Sequence, residues 1–211
     1  MVDIAVVDYG MGNLRSVHNA LLKVAPAASI AVTGDWREIE QAERVVFPGQ
    51  GAMPDCMREM EARGLREVLL QAARNKPFLG ICIGLQMLFE HSEEGHTRGL
   101  GILSGKVVRF ASQLRDEQGD KLKVPHMGWN QVHHANHPLW QDIDQDARFY
   151  FVHSYYVQPQ DAALTQATSC YPQPFACAVA RDNLFAVQFH PEKSQNAGLT
   201  LLQNFVRWNP V

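Results

Sequence analysis

The fold is decided by one stretch of the chain, Pro77-Phe78-Leu79-Gly80-Ile81-Cys82-Ile83-Gly84-Leu85-Gln86. Its first half is a short apolar run, which predicts a buried strand over 77–81. Its second half begins an amphipathic segment that continues to Phe89. Glycines two residues before and after Cys82 allow a tight strand-to-helix turn, the cysteine counterpart of the Gly-x-Ser-x-Gly elbow. We therefore expect Cys82 to project from the carboxyl end of a strand.

Strand and helix patterns alternate on the amino-terminal side of this turn. Apolar runs at 4–8, 28–33 and 44–47 predict three more strands. Apolar residues at helical spacing predict helices over 14–24 and 65–73. Because strands joined by helices pair in parallel and are covered on both faces, we expect an α/β fold with a central, mostly parallel sheet flanked by helices. Functional sites of such sheets lie at the carboxyl ends of the strands.

The carboxyl-terminal half of the chain has a different pattern, with short connections between strand-like runs. These runs are 106–110, 129–133, 149–157, 176–181 and 184–189. They suggest an antiparallel or mixed extension of the same sheet. Apolar spacing over 197–208 predicts a closing helix, and the polar segment 112–123 predicts an exposed loop or hairpin. No repeat or Pro/Gly/Ser-rich linker divides the chain, so we expect one domain over 1–211.

Composition and charge favour an ordinary globular protein. The chain has 211 residues, of which 46% are hydrophobic and 19% charged, enough apolar material to bury a core. A formal net charge of −3 gives no basis for nucleic-acid or membrane binding. The first residues lack the basic region of a secretory signal, and no apolar stretch reaches the roughly 18 residues of a membrane helix. We expect a cytoplasmic protein with reduced thiols.

The cysteines supply one candidate for reactive chemistry. The four are Cys56, Cys82, Cys170 and Cys177. None forms a Cys-x-x-Cys pair, so neither a zinc site nor a redox dithiol is indicated. A thiol at a helix N-terminus has a lowered pKa, because the positive end of the helix dipole favours the thiolate. The free N–H of Ile83 would then point at an oxyanion on an attacked carbonyl. The alternative is that Cys82 is a small buried apolar residue.

Two further segments are candidates for the groups that a reactive thiolate needs. The strand-like run 185–189 ends at His190, with Glu192 two residues later. A histidine at a strand end can act as general base and acid, and a carboxylate can fix its tautomer. The alternative is a surface histidine followed by an ordinary turn. The segment Pro48-Gly49-Gln50-Gly51 follows the third strand, and its glycines would let an N–H near Gln50 or Gly51 approach a substrate. Taken alone, that segment is only a turn.

Together the three segments resemble the class I (triad) glutamine amidotransferases. The family pattern is Pro-Gly-x-Gly, Gly-x-Cys-x-Gly-x-Gln and His-Pro-Glu, and this chain has it in that order at 48–51, 80–86 and 190–192. The resemblance covers nearly the whole chain and implies a flavodoxin-like glutaminase domain. The segments 8–13, 125–130, 150–155 and 188–194 narrow the resemblance to the glutaminase subunits of imidazole glycerol phosphate synthases, enzymes of histidine biosynthesis. Pro-His-Met-Gly-Trp-Asn at 125–130 is the most discriminating of these segments.

The resemblance implies roles for individual residues. Cys82 would attack the carboxamide of glutamine, His190 would transfer the proton and Glu192 would hold His190. Three further sets carry over. The oxyanion hole would consist of Gly49, Gln50, Gly51 and Ile83. The substrate would be bound by Gln86, Glu94, His153, Ser154 and Tyr155. The partner interface would include Asn13, Met127, Trp129, Tyr150 and Lys193.

The resemblance also implies a partner. The ammonia would pass to a (β/α)8-barrel cyclase subunit in a heterodimer and there yield imidazole glycerol phosphate and aminoimidazole carboxamide ribotide. No metal or other cofactor is expected, and no nucleic acid or membrane. The oxyanion donors near Gln50 would be misaligned until the partner binds its nucleotide. Gln50 itself departs from the family, which usually has a small apolar residue there, and Ile83 and Leu85 replace more usual residues without affecting backbone donors.

Three alternatives remain at the level of sequence. The chain could be a glutaminase serving anthranilate, GMP, CTP or pyridoxal phosphate synthesis, against which the segment 125–130 argues. It could be a non-catalytic subunit of degenerate fold, although such a protein should lack part of the triad. It could also be a stand-alone cysteine hydrolase of γ-glutamyl compounds, which would need an open cleft. Without the resemblance, Met127 and Trp129 would be predicted to lie in the core.

Overall fold

The computed structural model describes residues 2–116 and 118–210. Six α-helices occur in these ranges: α1 (Leu14–Val24), α2 (Trp36–Gln41), α3 (Met53–Ala62), α4 (Arg66–Asn75), α5 (Ile83–Met87) and α6 (Gln195–Arg207). The strands of the first half are β1 (Ile4–Val7), β2 (Ile30–Thr33), β3 (Arg44–Gly49), β4 (Phe78–Cys82), β5 (Phe89–Ser92) and β6 (Thr97–Arg98). The remaining strands are β7 (Leu103–Arg109), β8 (His126–Gln131), β9 (His133–His134), β10 (Arg148–His153), β11 (Tyr155–Pro159), β12 (Thr165–Cys170), β13 (Pro174–Arg181) and β14 (Leu184–Val187).

Twelve of the described strands form one mixed sheet. Its main path has the order β2-β1-β3-β4-β14-β13-β11-β7-β5-β6. The first five strands of that path are parallel to one another. From β14 onward, β13, β11 and β7 continue the sheet in antiparallel pairs. The predicted α/β class, with a parallel sheet and an antiparallel extension, is confirmed.

Helices cover both faces of the parallel part. Every residue of β1, β4 and β14 is buried, as expected for strands that are apolar on both sides. The strand order places β2 on one side of β1 and β3 and β4 on the other, and right-handed crossovers would then put α1 on the opposite face from α2, α3 and α4. The closing helix α6 packs against α1, and α2 packs against α4. Within the described ranges, no helix has the length and apolar character that crossing a membrane requires.

The antiparallel half differs from its prediction in one respect that matters for the site. The run 149–157, predicted as one strand, is divided at Ser154 into β10 and β11. β10 does not join the main sheet; it pairs antiparallel with β8 in a separate two-stranded sheet. The run 129–133 is likewise divided between β8 and β9. Buried and less buried residues alternate along β10, and β11 follows after one residue, so together the two strands give the same sequence pattern as one long strand. The pattern therefore could not show where the chain passes from one sheet to the other.

Candidate active site

Three adjacent parallel strands bring the three sequence motifs to one edge of the sheet. β3 ends at Gly49, β4 ends at Cys82, and β14 ends at Val187, three residues before His190. These strands are consecutive in the sheet, in the order β3, β4 and β14. The carboxyl ends of neighbouring parallel strands lie side by side. The fold therefore gathers segments that are more than a hundred residues apart in sequence.

Cys82 occupies a strained backbone position between β4 and α5. Its φ of 56° and ψ of −109° lie in a region that residues with a side chain rarely adopt. Such a conformation costs on the order of 1–3 kcal/mol and persists only where the surrounding structure holds it. The residue is 5% exposed and is the N-cap of α5, which places its sulfur at the start of a helix. The predicted strand-to-helix turn is present, although its helix has only five residues.

Neighbouring elements approach closely on both sides of this turn, which favours glycine there. A Cβ on Gly84 would lie 1.9 Å from the carbonyl oxygen of Phe47 in β3. A Cβ on Gly80 would meet the Ala186 side chain at 3.0 Å. On the facing strand, a Cβ on Gly49 would lie 2.5 Å from the Tyr9 hydroxyl. The neighbouring residues thus admit no side chain at Gly84 or Gly49 without a shift, and a side chain at Gly80 would be tightly packed against Ala186.

His190 and Glu192 form a buried pair beside Cys82. The His190 Nδ1 and Glu192 Oε1 atoms are 2.8 Å apart, and the two side chains are 3% and 1% exposed. Since a carboxylate oxygen can only accept, Nδ1 carries the proton. The Nε2 atom is buried without a hydrogen-bond partner among the described residues. The loop is fixed to β10, because His190 N–H donates to the Tyr150 carbonyl at 2.9 Å.

The electrostatics of the pair favour a protonated histidine. Burial alone would lower the pKa of His190. The adjacent Cys82 side chain, together with the hydrogen bond and negative charge of Glu192, outweighs burial and raises the pKa of His190 to about 10. At neutral pH the favoured state of His190 is therefore an imidazolium, which lies next to the Cys82 sulfur. Such a pair contains a nucleophile and a proton donor of the kind used in covalent catalysis.

A cavity of about 240 Å³ lies over these groups. It is smaller than the roughly 300–1,000 Å³ of pockets for drug-sized ligands and suits a single amino acid. It is lined by Gln50, Gly51, Cys82, Ile83, Gln86, Glu94, Pro125, Val152, His153, Ser154, Tyr155 and His190. All of the sequence-predicted substrate-binding residues are in this set. Pro125 and Val152 were not predicted, and Gly49 and Glu192 lie behind the cavity wall.

Gln86 is held in a single orientation at the cavity wall. Its Nε2 donates to the Tyr155 carbonyl at 3.1 Å and to Gln188 Oε1 at 3.0 Å. Its Oε1 has no partner within the described part of the chain, although the residue is 1% exposed. An unpaired buried acceptor is costly unless a ligand satisfies it. Gln188, which sequence reasoning missed, is fully buried and donates from Nε2 to the Cys82 sulfur at 3.7 Å.

Glu94 reaches the cavity while also serving the fold. One of its oxygens accepts the Met53 N–H at 2.8 Å and so completes the N-terminus of α3, where Ala52 offers no capping side chain. Glu94 lies in a short 3-10 helix, Glu94–His96. The sequence alone could not show that the Glu94 loop reaches the cavity. The contact with Met53 sets the position of that loop.

The predicted oxyanion segment lies opposite the start of α5. Gln50 and Gly51 line the cavity, and Gly51 has a φ of 111°, which glycine adopts without strain. Two side chains hold the segment from behind. The Tyr9 hydroxyl donates to the Pro48 carbonyl at 2.9 Å, and Cys56 Sγ donates to the Gln50 carbonyl at 3.6 Å.

The predicted interface residues fall mainly on the outer face of the two-stranded sheet. Met127 is 67% exposed and Trp129 is 43% exposed, so the alternative of a core position is wrong. Trp129 pairs with Tyr150 across the two strands, and Lys193 Nζ lies 5.9 Å from the centre of the Tyr150 ring. Asn13, by contrast, lies apart from this sheet as the N-cap residue of α1.

The described residues include no group of three or more His, Cys, Asp or Glu side chains placed to hold a metal ion. The four cysteines are unpaired, and three of them are buried. Only Cys82 lines the cavity.

Comparison with known proteins gives consistent matches over the whole chain. The family model for class-I glutamine amidotransferases matches residues 5–208. The chain is 67% identical over 213 residues to the imidazole glycerol phosphate synthase subunit HisH of Nitrosospira multiformis, covering 100% of both. It is 66% identical to the protein of the same name from Thiobacillus denitrificans, covering 99% of this chain and 92% of the relative. A crystal structure of a glutamine amidotransferase matches with a TM-score of 0.74 at 14% identity, covering 98% of this chain and 100% of that chain, which concerns the fold alone.

Proposed function

The chain belongs to the class-I glutamine amidotransferase family, and we propose that its cavity hydrolyses glutamine through a thiolate at Cys82. It serves histidine biosynthesis as the glutamine amidotransferase subunit of an imidazole glycerol phosphate synthase, as its relatives at 60–67% identity do. The observation that carries the catalytic assignment is the buried His190–Glu192 pair, with 2.8 Å between Nδ1 and Oε1, beside the strained Cys82. We take 1–211 as one amidotransferase domain.

The first half-reaction makes ammonia. The Cys82 thiolate attacks the side-chain carbonyl carbon of glutamine, forming a C–S bond and an oxyanion. The N–H of Ile83 and a backbone N–H near Gln50 or Gly51 stabilise that oxyanion. His190 gives its Nε2 proton to the leaving amine, the C–N bond breaks, and ammonia departs from a glutamyl thioester.

The second half-reaction restores the enzyme. Water attacks the thioester while neutral His190 accepts its proton at Nε2. The C–S bond then breaks, so that glutamate leaves and Cys82 is again a thiolate beside an imidazolium. Glu192 keeps the His190 proton on Nδ1 throughout and stabilises the charged ring. The glutamine is held by Gln86, Glu94 and the backbone of 153–155, with the free Gln86 Oε1 as an acceptor for an N–H group of the substrate.

The proposed partner is a (β/α)8-barrel cyclase that receives the ammonia through a channel in a heterodimer. The outer face of β8 and β10 supports this assignment, because exposed Met127 and Trp129 form an apolar surface next to the His190 loop. Tyr150 and Lys193 border that surface and Asn13 lies on α1. The proposed compartment is the cytoplasm, in keeping with four unpaired cysteines and a reactive thiol.

Activity should depend on the partner. The oxyanion segment is held through the carbonyls of Pro48 and Gln50 by Tyr9 and Cys56, and we propose that partner binding completes its alignment. The exposed Gln50 side chain is a further point at which that alignment can be changed. The small cavity argues against a stand-alone hydrolase of larger γ-glutamyl compounds.

Glutamate release from glutamine tests the proposal. We expect slow release by the purified chain, a large rise with a cyclase subunit carrying its nucleotide, and a loss of about 10⁴-fold or more in Cys82→Ala. Cys170→Ser, which changes an exposed cysteine away from the cavity, should behave as wild type. Undiminished activity in Cys82→Ala would exclude the thiolate mechanism. Equal rates with and without the loaded cyclase would exclude the proposed coupling.

A further inference from the structure

A continuous chain of side-chain hydrogen bonds connects β8 with the wall of the cavity. It begins at Asn130, whose Nδ2 lies 2.8 Å from the Cys170 carbonyl and 3.2 Å from His126 Nε2. His126 Nδ1 lies 2.9 Å from His153 Nε2. His153 Nδ1 lies 2.8 Å from the carbonyl oxygen of Tyr155. That carbonyl also accepts the Gln86 amide, so the chain reaches a proposed substrate-binding side chain.

The direction of each hydrogen bond follows from the two ends of the chain. The Tyr155 carbonyl can only accept, so His153 carries its proton on Nδ1 and accepts at Nε2 when neutral. His126 must then donate from Nδ1 and accept at Nε2. Asn130 has the matching orientation, because its Oδ1 accepts the Gln131 N–H at 2.8 Å and its Nδ2 is left to donate. All donors and acceptors of the two neutral rings are therefore satisfied.

The surroundings keep both rings neutral. His126 and His153 are 4% and 5% exposed. His126 stacks on Tyr171 at 4.1 Å between ring centres, and His153 lies 5.2 Å from Phe110. Burial lowers the pKa of His126 to about 4. It likewise lowers the pKa of His153 to about 3, with smaller effects from its neighbours.

The end of this hydrogen-bond chain that lies at the cavity fixes two side-chain amides next to the nucleophile. Tyr155 and Gln188 accept both N–H groups of the Gln86 amide, which leaves its buried Oε1 as the atom without a partner among the described residues. Gln188 accepts from Gln86 through Oε1, which leaves its Nε2 to donate to the Cys82 sulfur. A change in the position of the Tyr155 carbonyl would therefore move a substrate acceptor and the amide that contacts the thiolate.

The two-stranded sheet separates this chain of hydrogen bonds from the apolar surface. Side chains alternate between faces along a strand. On β8, His126 and Asn130 face inward, whereas Met127 and Trp129 are exposed. On β10, His153 lies directly opposite His126 in the pairing register. Any shift of the outer face is thus transmitted to the histidine pair through the same backbone.

We propose that His126 is a positioning residue for glutamine binding, which acts by donating a hydrogen bond to His153 and so fixes the Tyr155 carbonyl and the Gln86 amide. Asn130 holds His126 in the donating orientation. This inference rests on the proposed glutaminase function. It gives a structural role to the segment 125–130, whose histidine and asparagine lie on the inner face.

Two variants of His126 test the proposal in the complex with the loaded cyclase. His126→Phe keeps the ring that packs on Tyr171 but loses both hydrogen bonds. His126→Asn places an N–H close to the former Nδ1 and retains the donor. We expect the KM for glutamine to rise about tenfold in His126→Phe and to stay within about threefold of wild type in His126→Asn, with kcat changed less than KM.

The matched control is His137→Phe. His137 is also a partly buried histidine whose pKa is lowered by burial to about 4, but it packs on Phe185 and Trp208 and does not line the cavity. An equal rise in KM in His137→Phe and His126→Phe, or a wild-type KM in His126→Phe, would overturn the proposal.

A second measurement needs no variant. The ¹⁵N spectrum of the histidine rings in the wild-type chain should show His126 and His153 neutral at pH 7, each with its proton on Nδ1. A proton on Nε2 of either ring would overturn the inference, even if an unstable variant prevented kinetics. Failure of the wild-type complex to release glutamate would instead refute the proposed function, so the two failures are distinguishable.

Discussion

The turn at Cys82 and the two-stranded sheet of β8 and β10 border the same cavity, but different interactions hold them in place. At the turn, backbone sterics decide the geometry. Gly84 and Gly80 let Phe47 and Ala186 approach closely, and the strained backbone conformation of Cys82 accompanies these contacts. In the two-stranded sheet, side-chain hydrogen bonds decide it, since His126 and His153 connect the inner face with Tyr155.

This difference bears on how the enzyme is controlled. A close-packed backbone turn has no second arrangement at low cost, so the proposed nucleophile, Cys82, is preorganised. A chain of hydrogen bonds attached to an exposed surface can change when that surface is covered. The loop of His190 belongs to both regions, because the Tyr150 carbonyl on β10 accepts the His190 N–H and the Tyr150 N–H donates to the Ser194 hydroxyl oxygen. We therefore propose that the partner affects proton transfer and substrate binding without moving Cys82.

The largest expected effect comes from a change beside the rigid turn at Cys82. Cys82 and Glu192 are the two groups that raise the pKa of His190. Glu192→Gln removes the second of them, and it leaves the tautomer less well defined. We expect kcat for glutamine hydrolysis in the loaded complex to fall about 10³-fold, with KM nearly unchanged. Steady-state kinetics measures both, and calorimetric binding to the cyclase checks that the complex still forms. A loss of less than tenfold would contradict the role given to Glu192.

The second prediction tests whether backbone contact holds the turn. Gly84→Ala would place a methyl group 1.9 Å from the Phe47 carbonyl, which cannot be relieved by a rotamer change. We expect the free energy of unfolding in urea to fall by about 3 kcal/mol, the upper range for overpacked sites. Gly101→Ala is the control, because a Cβ there meets nothing within 4 Å although its φ is 67°. Gly84 has no positive φ, so a loss in Gly84→Ala no greater than the loss in Gly101→Ala would contradict the destabilising contact with Phe47.

The two regions also differ in how far their sequences predict them. The Cys82 turn is encoded locally: the apolar run, two glycines and the cysteine predict strand, turn and nucleophile within ten residues. His190 and Glu192 are two residues apart, so their contact needs no knowledge of the fold. The two-stranded sheet is encoded non-locally. Alternation along 149–157 is the same whether β10 joins β11 or leaves the main sheet at Ser154.

The residues missed in the site share that non-local origin. Gln188 contacts Cys82 over a separation of 106 residues, and no local pattern distinguishes it from the other residues of the strand-like run 184–189. Its position two residues before His190, on the same side of an extended chain, was the available signal. His126 was singled out only as part of a discriminating motif. The contact of His126 with His153 depends on the register of β8 and β10, which the sequence alone does not specify.

The third prediction concerns the outer face of the two-stranded sheet. Trp129→Ala should weaken binding to the cyclase by about 2 kcal/mol, roughly 30-fold in Kd, as expected for an aromatic anchor. Trp36→Ala is a matched control, because Trp36 on α2 is 47% exposed and Trp129 is 43% exposed. Titration calorimetry measures both. A similar change in both variants, or none in Trp129→Ala, would remove this sheet from the interface.

The smallest expected effect is on the free energy of unfolding. It tests the protonation state of the buried histidines without any measurement of catalysis. The pKa of His126 is about 4 in the folded protein and 6.5 when exposed, so unfolding takes up a proton below pH 6.5. Its contribution is therefore present above pH 6.5 and lost as the pH falls toward 4. The free energy of unfolding of wild type should fall as the pH is lowered from 7.5 to 5.0. In His126→Phe this fall should be smaller by about 1–2 kcal/mol. His137→Phe should show a similar effect on stability without raising KM, because its pKa is also about 4. Superimposable pH profiles of wild type and His126→Phe would mean that His126 is not held neutral, and the inner face would then lack the hydrogen-bond order that distinguishes it from the turn.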